Sequence, residues 1–189
     1  KNGLLIFVGL FGLTAFSVVV QLLAPHRQYG GLAPAVDPVE GGIHPYGPTG
    51  LASQGRLVYQ DLGCATCHTQ QVRYGSADLE RKWGPRPSYA RDYIRDGQVF
   101  LGSSRLGPDL RNVGLRLGDG VTAAEYQEWF HKLLYAPATV GARKPAHAFL
   151  YEVRKVNPGQ ASPKALRLPG SAAAPAGFEV LPTYRAEAL

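Results

Sequence analysis

The first strong feature of the chain is an unbroken apolar run from Gly3 to Ala24. The run carries no charged residue, and about 22 residues at ~1.5 Å of rise per residue span one hydrocarbon core of a bilayer. Apolar residues lie on every side of such a helix, unlike the one-sided pattern of a helix packed on a small core. We therefore expect residues 1–25 to form a retained membrane anchor, since no small-residue cleavage site follows the run.

The pattern changes after the anchor. Residues 26–50 carry closely spaced proline and glycine, which predicts an extended tether. Helical spacing of apolar residues resumes from Leu51 to Leu62, and Gly63 gives a stop signal. A second amphipathic helix is predicted from Thr122 to Tyr135, with Trp129, Phe130, Leu133 and Leu134 in the core and His131 directed elsewhere.

Two later segments differ from the rest in composition. Residues 74–106 form a basic insert, and between Arg81 and Arg116 there are eight basic and three acidic residues, an excess of +5. Aromatic residues interleave with these charges, which favours a docking surface over a merely solvated face; they are Trp83, Tyr89, Tyr93 and Phe100. Residues 157–176, rich in Pro, Ala and Ser, predict an extended surface segment that wraps a neighbour or stays mobile.

Composition narrows the classes of protein. A chain of 189 residues with 45% hydrophobic residues can bury one modest core, which we place at residues 51–189. The helical spacing and long loops predict an all-α fold with an N-terminal transmembrane helix. The net charge of +6 is mild and no nucleic-acid motif is present, so no nucleic-acid partner is expected. Only two cysteines occur, which excludes a disulfide scaffold and an all-cysteine zinc site.

Both cysteines belong to the sequence Cys64-Ala65-Thr66-Cys67-His68, which is the pattern of c-type haem attachment. Two thiols one turn apart suit addition to the two vinyl groups of haem, and the next side chain, His68, is placed to bind the iron. A thioredoxin-like redox pair would need an α/β pattern that the sequence lacks. We expect one covalently bound haem c.

A second short motif follows about 40 residues later, at Gly107-Pro108-Asp109-Leu110. A class I cytochrome c domain needs a backbone carbonyl that accepts from the other ring nitrogen of the iron-binding histidine, because this bond fixes the ring orientation and tautomer. The carbonyl of Pro108 suits this role, and Leu110 is expected to pack on the haem face. Gly-Pro pairs usually mark turns only, so the position of the motif carries the argument.

Three stretches, GRLVYQDLGCATCHTQQVR, RKWGPRPSYARDY and LGSSRLGPDLRNVGLR, resemble the mono-haem subunit II of cbb-type haem-copper oxidases. The likeness covers roughly residues 1–156 and includes Gln70, Gln71 and Arg73. It implies an electron relay from a donor cytochrome to the catalytic haem-copper subunit, in contact with other membrane subunits and lipid. It also implies that this chain has no catalytic centre of its own.

The sequence departs from that family at the sixth iron ligand, where a methionine followed by proline is expected and Lys144-Pro145 stands instead. The chain contains no methionine at all. A lysine must lose its proton to bind iron, which from a pKa of about 10.4 costs roughly 4 to 5 kcal/mol at pH 7, whereas histidine loses almost nothing. We therefore predict His147 as the sixth ligand, with Lys144 as the second choice; an open or water-ligated position remains the third.

Haem attachment on the outer face of bacterial inner membranes predicts a single-pass protein with a cytoplasmic N-terminus and a periplasmic haem domain. Other functions stay open: the anchored cytochrome of a nitric oxide reductase or alternative respiratory complex, and a haem-based gas sensor. Near Pro182 the sequence predicts the start of a further helix. In a class I domain a terminal helix packs on the helix before the haem motif, and we expect the closing helix to continue past Leu189.

Overall fold

The structure is a computed structural model, and it describes residues 2–39, 41–75, 77–102, 104–116, 118, 120–157 and 160–189. The chain folds into two compact units. The first unit comprises Lys1–Gly47 and Ser88–Val99, and the second comprises Pro48–Pro87 and Phe100–Leu189.

The first unit is dominated by one long helix. It is built from α1 (Gly3–Val18), a π-helical turn (Val19–Leu23) and α2 (Ala24–Tyr29). The helix is long and apolar enough to cross a membrane, with a mean hydropathy of 2.4 over its most apolar window. It continues beyond the expected end at residue 25, because the wide π-helical turn before Pro25 relieves the clash that a proline ring makes with the preceding turn.

The segment expected to be a plain tether also contains regular structure. Two short antiparallel strands, β1 (Ala35–Val36) and β2 (Ile43–His44), pair within it. The other part of this unit contains a 3₁₀ turn, Ala90–Tyr93, whose start is capped by the Asp92 carboxylate accepting from the backbone N–H of Tyr89 at 2.9 Å.

The described part of the second unit contains three α-helices and a two-stranded sheet. The helices are α3 (Gly50–Asp61), α4 (Ala123–Tyr135) and α5 (Tyr184–Ala188). The strands β3 (Tyr151–Lys155) and β4 (Phe178–Pro182) pair antiparallel, with Val153 opposite Val180. The prediction of an all-α fold is therefore wrong in this part: the described helices are joined by a β-ribbon that sequence periodicity did not indicate, because four of the five β3 residues are exposed.

The core of the second unit lies between α4, the β-ribbon and α5. Its buried members are Leu134, Leu150, Tyr151, Val180 and Ala186. α4 begins where it does because Thr122 and Glu125 form a capping box, in which each side chain accepts from the other residue's backbone N–H. This reciprocal cap fixes the direction in which α4 enters the core.

α3 and α5 pack against each other through a glycine. A Cβ at Gly55 would overlap the carbonyl oxygen of Ala188, so only glycine allows the two backbones to approach this closely. Ala186 and Ala188 of α5 are both buried. The helix predicted near Pro182 thus exists, and it closes on the helix that precedes the two cysteines.

The Pro- and Ala-rich segment packs on its own domain. Leu166, Leu168 and Ala174 contact the core, and the Leu166 N–H donates to the carbonyl of Val180 at 2.9 Å. Further along, the Ser162 N–H donates to the Glu179 carboxylate at 2.8 Å. The segment therefore runs along β4 and forms hydrogen bonds to Glu179 and Val180. Residues 158 and 159 lie outside the described residues.

Two side chains of α4 differ from the prediction. Trp129 is 41% exposed, whereas His131 is buried at 8%. The Nδ1 atom of His131 lies 3.0 Å from the hydroxyl of Tyr151, whose oxygen is also 3.2 Å from the His131 carbonyl. His131 is buried because a polar partner on β3 satisfies its ring, which a helical hydrophobicity pattern cannot show.

We expect His131 to make the fold less stable in mild acid. Burial lowers the pKa of His131, partly opposed by Glu187. The unfolded chain binds this proton near pH 6.5, whereas the folded chain stays neutral to lower pH, so the His131 contribution is full above about pH 6.5 and is lost as pH falls toward the folded pKa. Each unit of pKa difference corresponds to about 1.4 kcal/mol.

Denaturant unfolding at about pH 7 and about pH 5 measures this contribution. The variant His131→Gln keeps a polar side chain that does not titrate, so its stability should fall less over this interval than that of the wild type. An equal fall in both proteins would show that other groups account for the acid sensitivity.

Candidate haem-binding site

The two cysteines follow directly on the end of α3. Gly63 adopts a left-handed conformation with φ of 67°, which ends the helix and starts a 3₁₀ turn over Cys64–Thr66. Within this turn the N–H of His68 donates to the Cys64 carbonyl at 3.0 Å. Both thiols are free and half-buried, and the turn holds them and the His68 side chain in one short stretch of backbone.

The ring of His68 is held from the side by the Gly107–Leu110 loop. Its Nδ1 atom lies 2.8 Å from the Pro108 carbonyl oxygen, which is the hydrogen bond expected from the sequence. Because a carbonyl only accepts, Nδ1 carries the proton and Nε2 keeps its lone pair. A Cβ at Gly107 would overlap the His68 ring, so this glycine provides a close-fitting wall for the imidazole.

A buried carboxylate, Asp109, fastens this loop to the backbone after the cysteine motif. It is fully buried and accepts from the Thr69 hydroxyl at 2.5 Å, from the Gln71 N–H at 2.7 Å and from the Arg111 N–H at 2.9 Å. Beside it, the Leu110 N–H donates to the Thr69 carbonyl at 2.8 Å. Asp109 therefore sets the position of Pro108 relative to His68, a role that was not predicted from the sequence.

A second residue absent from the sequence prediction supports His68 from α3. The Tyr59 hydroxyl donates to the His68 carbonyl at 3.0 Å, and its ring lies 5.3 Å from that of Phe100. Burial raises the pKa of Tyr59, with the nearby Cys64 adding to the effect. A tyrosine at an apolar helical position gives only a core signal, so this contact could not be found from spacing.

Lys144 and His147 lie in the loop that follows the 3₁₀ turn Pro137–Val140. The loop is tied to α4 because the His147 N–H donates to the Leu134 carbonyl at 2.7 Å. The Lys144 Nζ donates to the Pro145 carbonyl at 3.0 Å, and the His147 Nδ1 lies 3.0 Å from the same oxygen and 3.2 Å from Nζ. The two candidate ligands are thus hydrogen-bond neighbours.

Both residues lie within electrostatic reach of the cysteine motif. Burial lowers the pKa of Lys144, and Cys64 partly opposes this; in turn, burial raises the pKa of Cys64, and Lys144 partly opposes that. Burial likewise lowers the pKa of His147, and the charges of Lys144 and His68 lower it further. The fold therefore brings both candidate ligands to the same region as Cys64 and His68.

Part of the basic insert faces inward. Three guanidinium groups surround the Trp83 ring, at 5.1 Å for Arg81, 5.5 Å for Arg105 and 6.0 Å for Arg116. Arg105 also pairs with the buried carboxylate of Asp78 at 2.6 Å. Phe100, which was predicted to lie on the docking surface, is only 4% exposed and belongs to the interior.

The residues present fit a covalently attached haem. Such a group requires donors, and the site offers two free thiols and an imidazole whose Nε2 keeps its lone pair. Gly107, which has no side chain, lets the backbone lie close against this imidazole. Among the described residues, no three His, Cys, Asp or Glu side chains converge as a metal site built from protein ligands alone.

Comparison with known proteins gives one family. Residues 1–167 match the family model described as cytochrome C oxidase, mono-heme subunit/FixO. No curated protein matches the sequence.

Proposed function

We propose that this chain, which belongs to the FixO family of cytochrome c oxidase mono-haem subunits, relays single electrons from a donor cytochrome to the catalytic haem-copper subunit of a cbb-type oxidase. The chain is an electron-transfer subunit of a cytochrome c oxidase by its family, and its helix Gly3–Tyr29 is a possible membrane anchor. The observation that most supports the relay is the Cys64-x-x-Cys67-His68 turn with its imidazole held by Pro108.

In this proposal Cys64 and Cys67 hold one haem c through two thioether bonds, and the group supplies one-electron redox chemistry. His68 binds the iron through Nε2, while the Pro108 carbonyl fixes the tautomer of the imidazole. Leu110 packs against the haem face. His147 takes the sixth position, with Lys144 as the second choice. Two nitrogen ligands give a lower reduction potential than a histidine and methionine pair, because a thioether raises the potential.

Carbon monoxide tests the relay against a gas-binding function. The missing methionine favours the second candidate, a haem-based sensor, if the sixth position is left open. An electron relay should have a low-spin spectrum that changes only partly with carbon monoxide, whereas a sensor should be high-spin and convert fully. Because the family match is to oxidase subunits, we expect the chain to co-purify with a haem-copper subunit rather than with a nitric oxide reductase.

The same proposal places the N-terminus in the cytoplasm and residues 51–189 in the periplasm of the bacterial inner membrane. The support is chemical, since the attachment of haem to Cys64 and Cys67 takes place outside the cytoplasm. A C-terminal alkaline phosphatase fusion should be active and a C-terminal green fluorescent protein fusion exported by the same route should be dark. The opposite pair of results would overturn this topology.

We also propose that the exposed part of the basic insert docks on the oxidase. Arg91 is exposed on the turn Ala90–Tyr93, and the neighbouring Tyr89 is 54% exposed. The Trp83 ring, by contrast, is in contact with guanidinium groups of the same domain. Charge reversal by Arg91→Glu should reduce recovery of the assembled complex several-fold, because it opposes a basic docking patch. Lys155→Glu, a reversal at an exposed residue of β3, is the matched control. Equal recovery in the two variants would make the insert a solvated loop.

Trp83→Ala should act differently, by lowering the stability of the domain, because its ring packs against arginine side chains of the same domain.

A further inference from the structure

Three polar groups meet at the sixth-ligand side of the site: the Lys144 ammonium, the His147 Nδ1 and the Pro145 carbonyl. The distances are 3.0 Å from Nζ to the carbonyl oxygen, 3.0 Å from Nδ1 to the same oxygen and 3.2 Å from Nζ to Nδ1. The Leu133 carbonyl is a more distant acceptor for Nζ, at 3.5 Å. The ammonium can only donate and the carbonyl can only accept, so the imidazole is the one member whose role can change.

Two arrangements of the proton satisfy this triangle. In the first, Nδ1 accepts from Lys144, so the ring proton is on Nε2 and that nitrogen has no lone pair for iron. In the second, Nδ1 carries the proton and donates to Pro145, so Nε2 is open to iron, but the ammonium then faces an N–H at 3.2 Å. The first arrangement gives Lys144 two acceptors at hydrogen-bond distance, whereas the second leaves only the Pro145 oxygen and the distant Leu133 carbonyl.

We propose that Lys144 competes with iron for His147 and thereby makes the sixth position displaceable by a small neutral diatomic ligand. The inference rests on the proposed function, because it takes His147 as the sixth ligand. Lys144 is a positioning residue that acts through the tautomer of His147. The two faces of the haem then differ: His68 is locked with Nδ1 on the Pro108 carbonyl, whereas His147 has an alternative partner beside it.

The carbon monoxide affinity of the reduced holoprotein tests this competition. Lys144→Leu removes the donor, so His147 should bind iron more firmly and the haem should bind carbon monoxide about tenfold more weakly. A tenfold change is near the lower end of what a hydrogen bond from a charged donor contributes. Lys144→Gln retains a neutral donor and should fall between Lys144→Leu and the wild type. Arg143→Leu removes the same charge from the exposed neighbouring residue and should leave the affinity unchanged.

Resting spectra and haem-stained denaturing gels separate the outcomes. Affinities in Lys144→Leu and Lys144→Gln that equal or exceed that of Arg143→Leu would overturn the inference. A high-spin resting spectrum in Lys144→Leu, with haem still covalently bound, would make lysine the ligand and also overturn it, while leaving the electron relay intact. The proposed function itself fails only if the wild type carries no covalent haem or rests in a fully high-spin state.

Discussion

Replacing Gly107 by valine is expected to abolish the mature cytochrome. A Cβ at this position overlaps three atoms of the His68 ring, and valine adds two methyl groups in the same space. Overpacking in a well-packed interior typically costs about 1 to 3 kcal/mol, and here the displaced group is the imidazole that we propose binds the iron. We therefore expect about a tenth or less of the wild-type haem content in the membrane fraction, since about 1.4 kcal/mol, within this range, already changes an equilibrium tenfold.

Gly114→Val is the matched control for this experiment. No neighbouring atom lies within 4 Å of a Cβ built at Gly114, so a valine there meets open space. Gly107 and Gly114 both lack the positive φ that favours glycine, so the two substitutions differ in steric overlap and not in backbone strain. Haem staining of the two variants at equal protein level gives the comparison. Normal, low-spin haem in Gly107→Val would mean that the His68 ring is not held against this wall.

Replacing His147 by alanine is expected to convert the haem from low-spin to high-spin and to make it fully reactive with carbon monoxide. The side chain lies near His68 and Lys144, in a loop held to α4 by the hydrogen bond from the His147 N–H to the Leu134 carbonyl. That bond uses the backbone, so it survives the substitution, and the loop should keep its place. Absorption spectra of the reduced protein with and without carbon monoxide measure the change.

Lys144→Ala provides the counterpart, because it removes the neighbouring candidate ligand. We expect its resting spectrum to remain low-spin, since removing a proton from a lysine near neutral pH costs roughly 4 to 5 kcal/mol. Burial lowers the pKa of Lys144 and reduces that cost in part. The reverse result, with high-spin haem in Lys144→Ala and low-spin haem in His147→Ala, would make lysine the ligand.

The helices with strong local signals agree with the structure. α3 ends within a residue or two of its predicted limit because Gly63 is a stop signal that acts over one turn. α4 likewise begins near its predicted start because the Thr122–Glu125 capping box acts over one turn. The β-ribbon and the packing of residues 160–176 depend on contacts between distant segments, such as Leu166 with Val180. Local periodicity carries no information about such pairs.

The same distinction holds at the candidate site. The Cys64–His68 turn is a local pattern, and the contact of Pro108 with His68 followed from the need for an acceptor beside the ring. Asp109 and Tyr59 were missed because the Thr69 hydroxyl and the Gln71 N–H reach Asp109, and the His68 carbonyl reaches Tyr59, only in the folded chain. The triangle around Pro145 likewise depends on side-chain placement that no sequence pattern records.

The closure of α5 on α3 at Gly55 has a consequence for the order of events during synthesis. In the proposed topology the chain is made and exported from its N-terminus, so Cys64 and Cys67 leave the cytoplasm before Tyr184–Ala188 does. Until then α3 lacks its partner, and the turn that carries the thiols stays open to an attachment enzyme. If haem is attached as proposed, the late arrival of α5 leaves an interval for the reaction before the α3–α5 pair is complete.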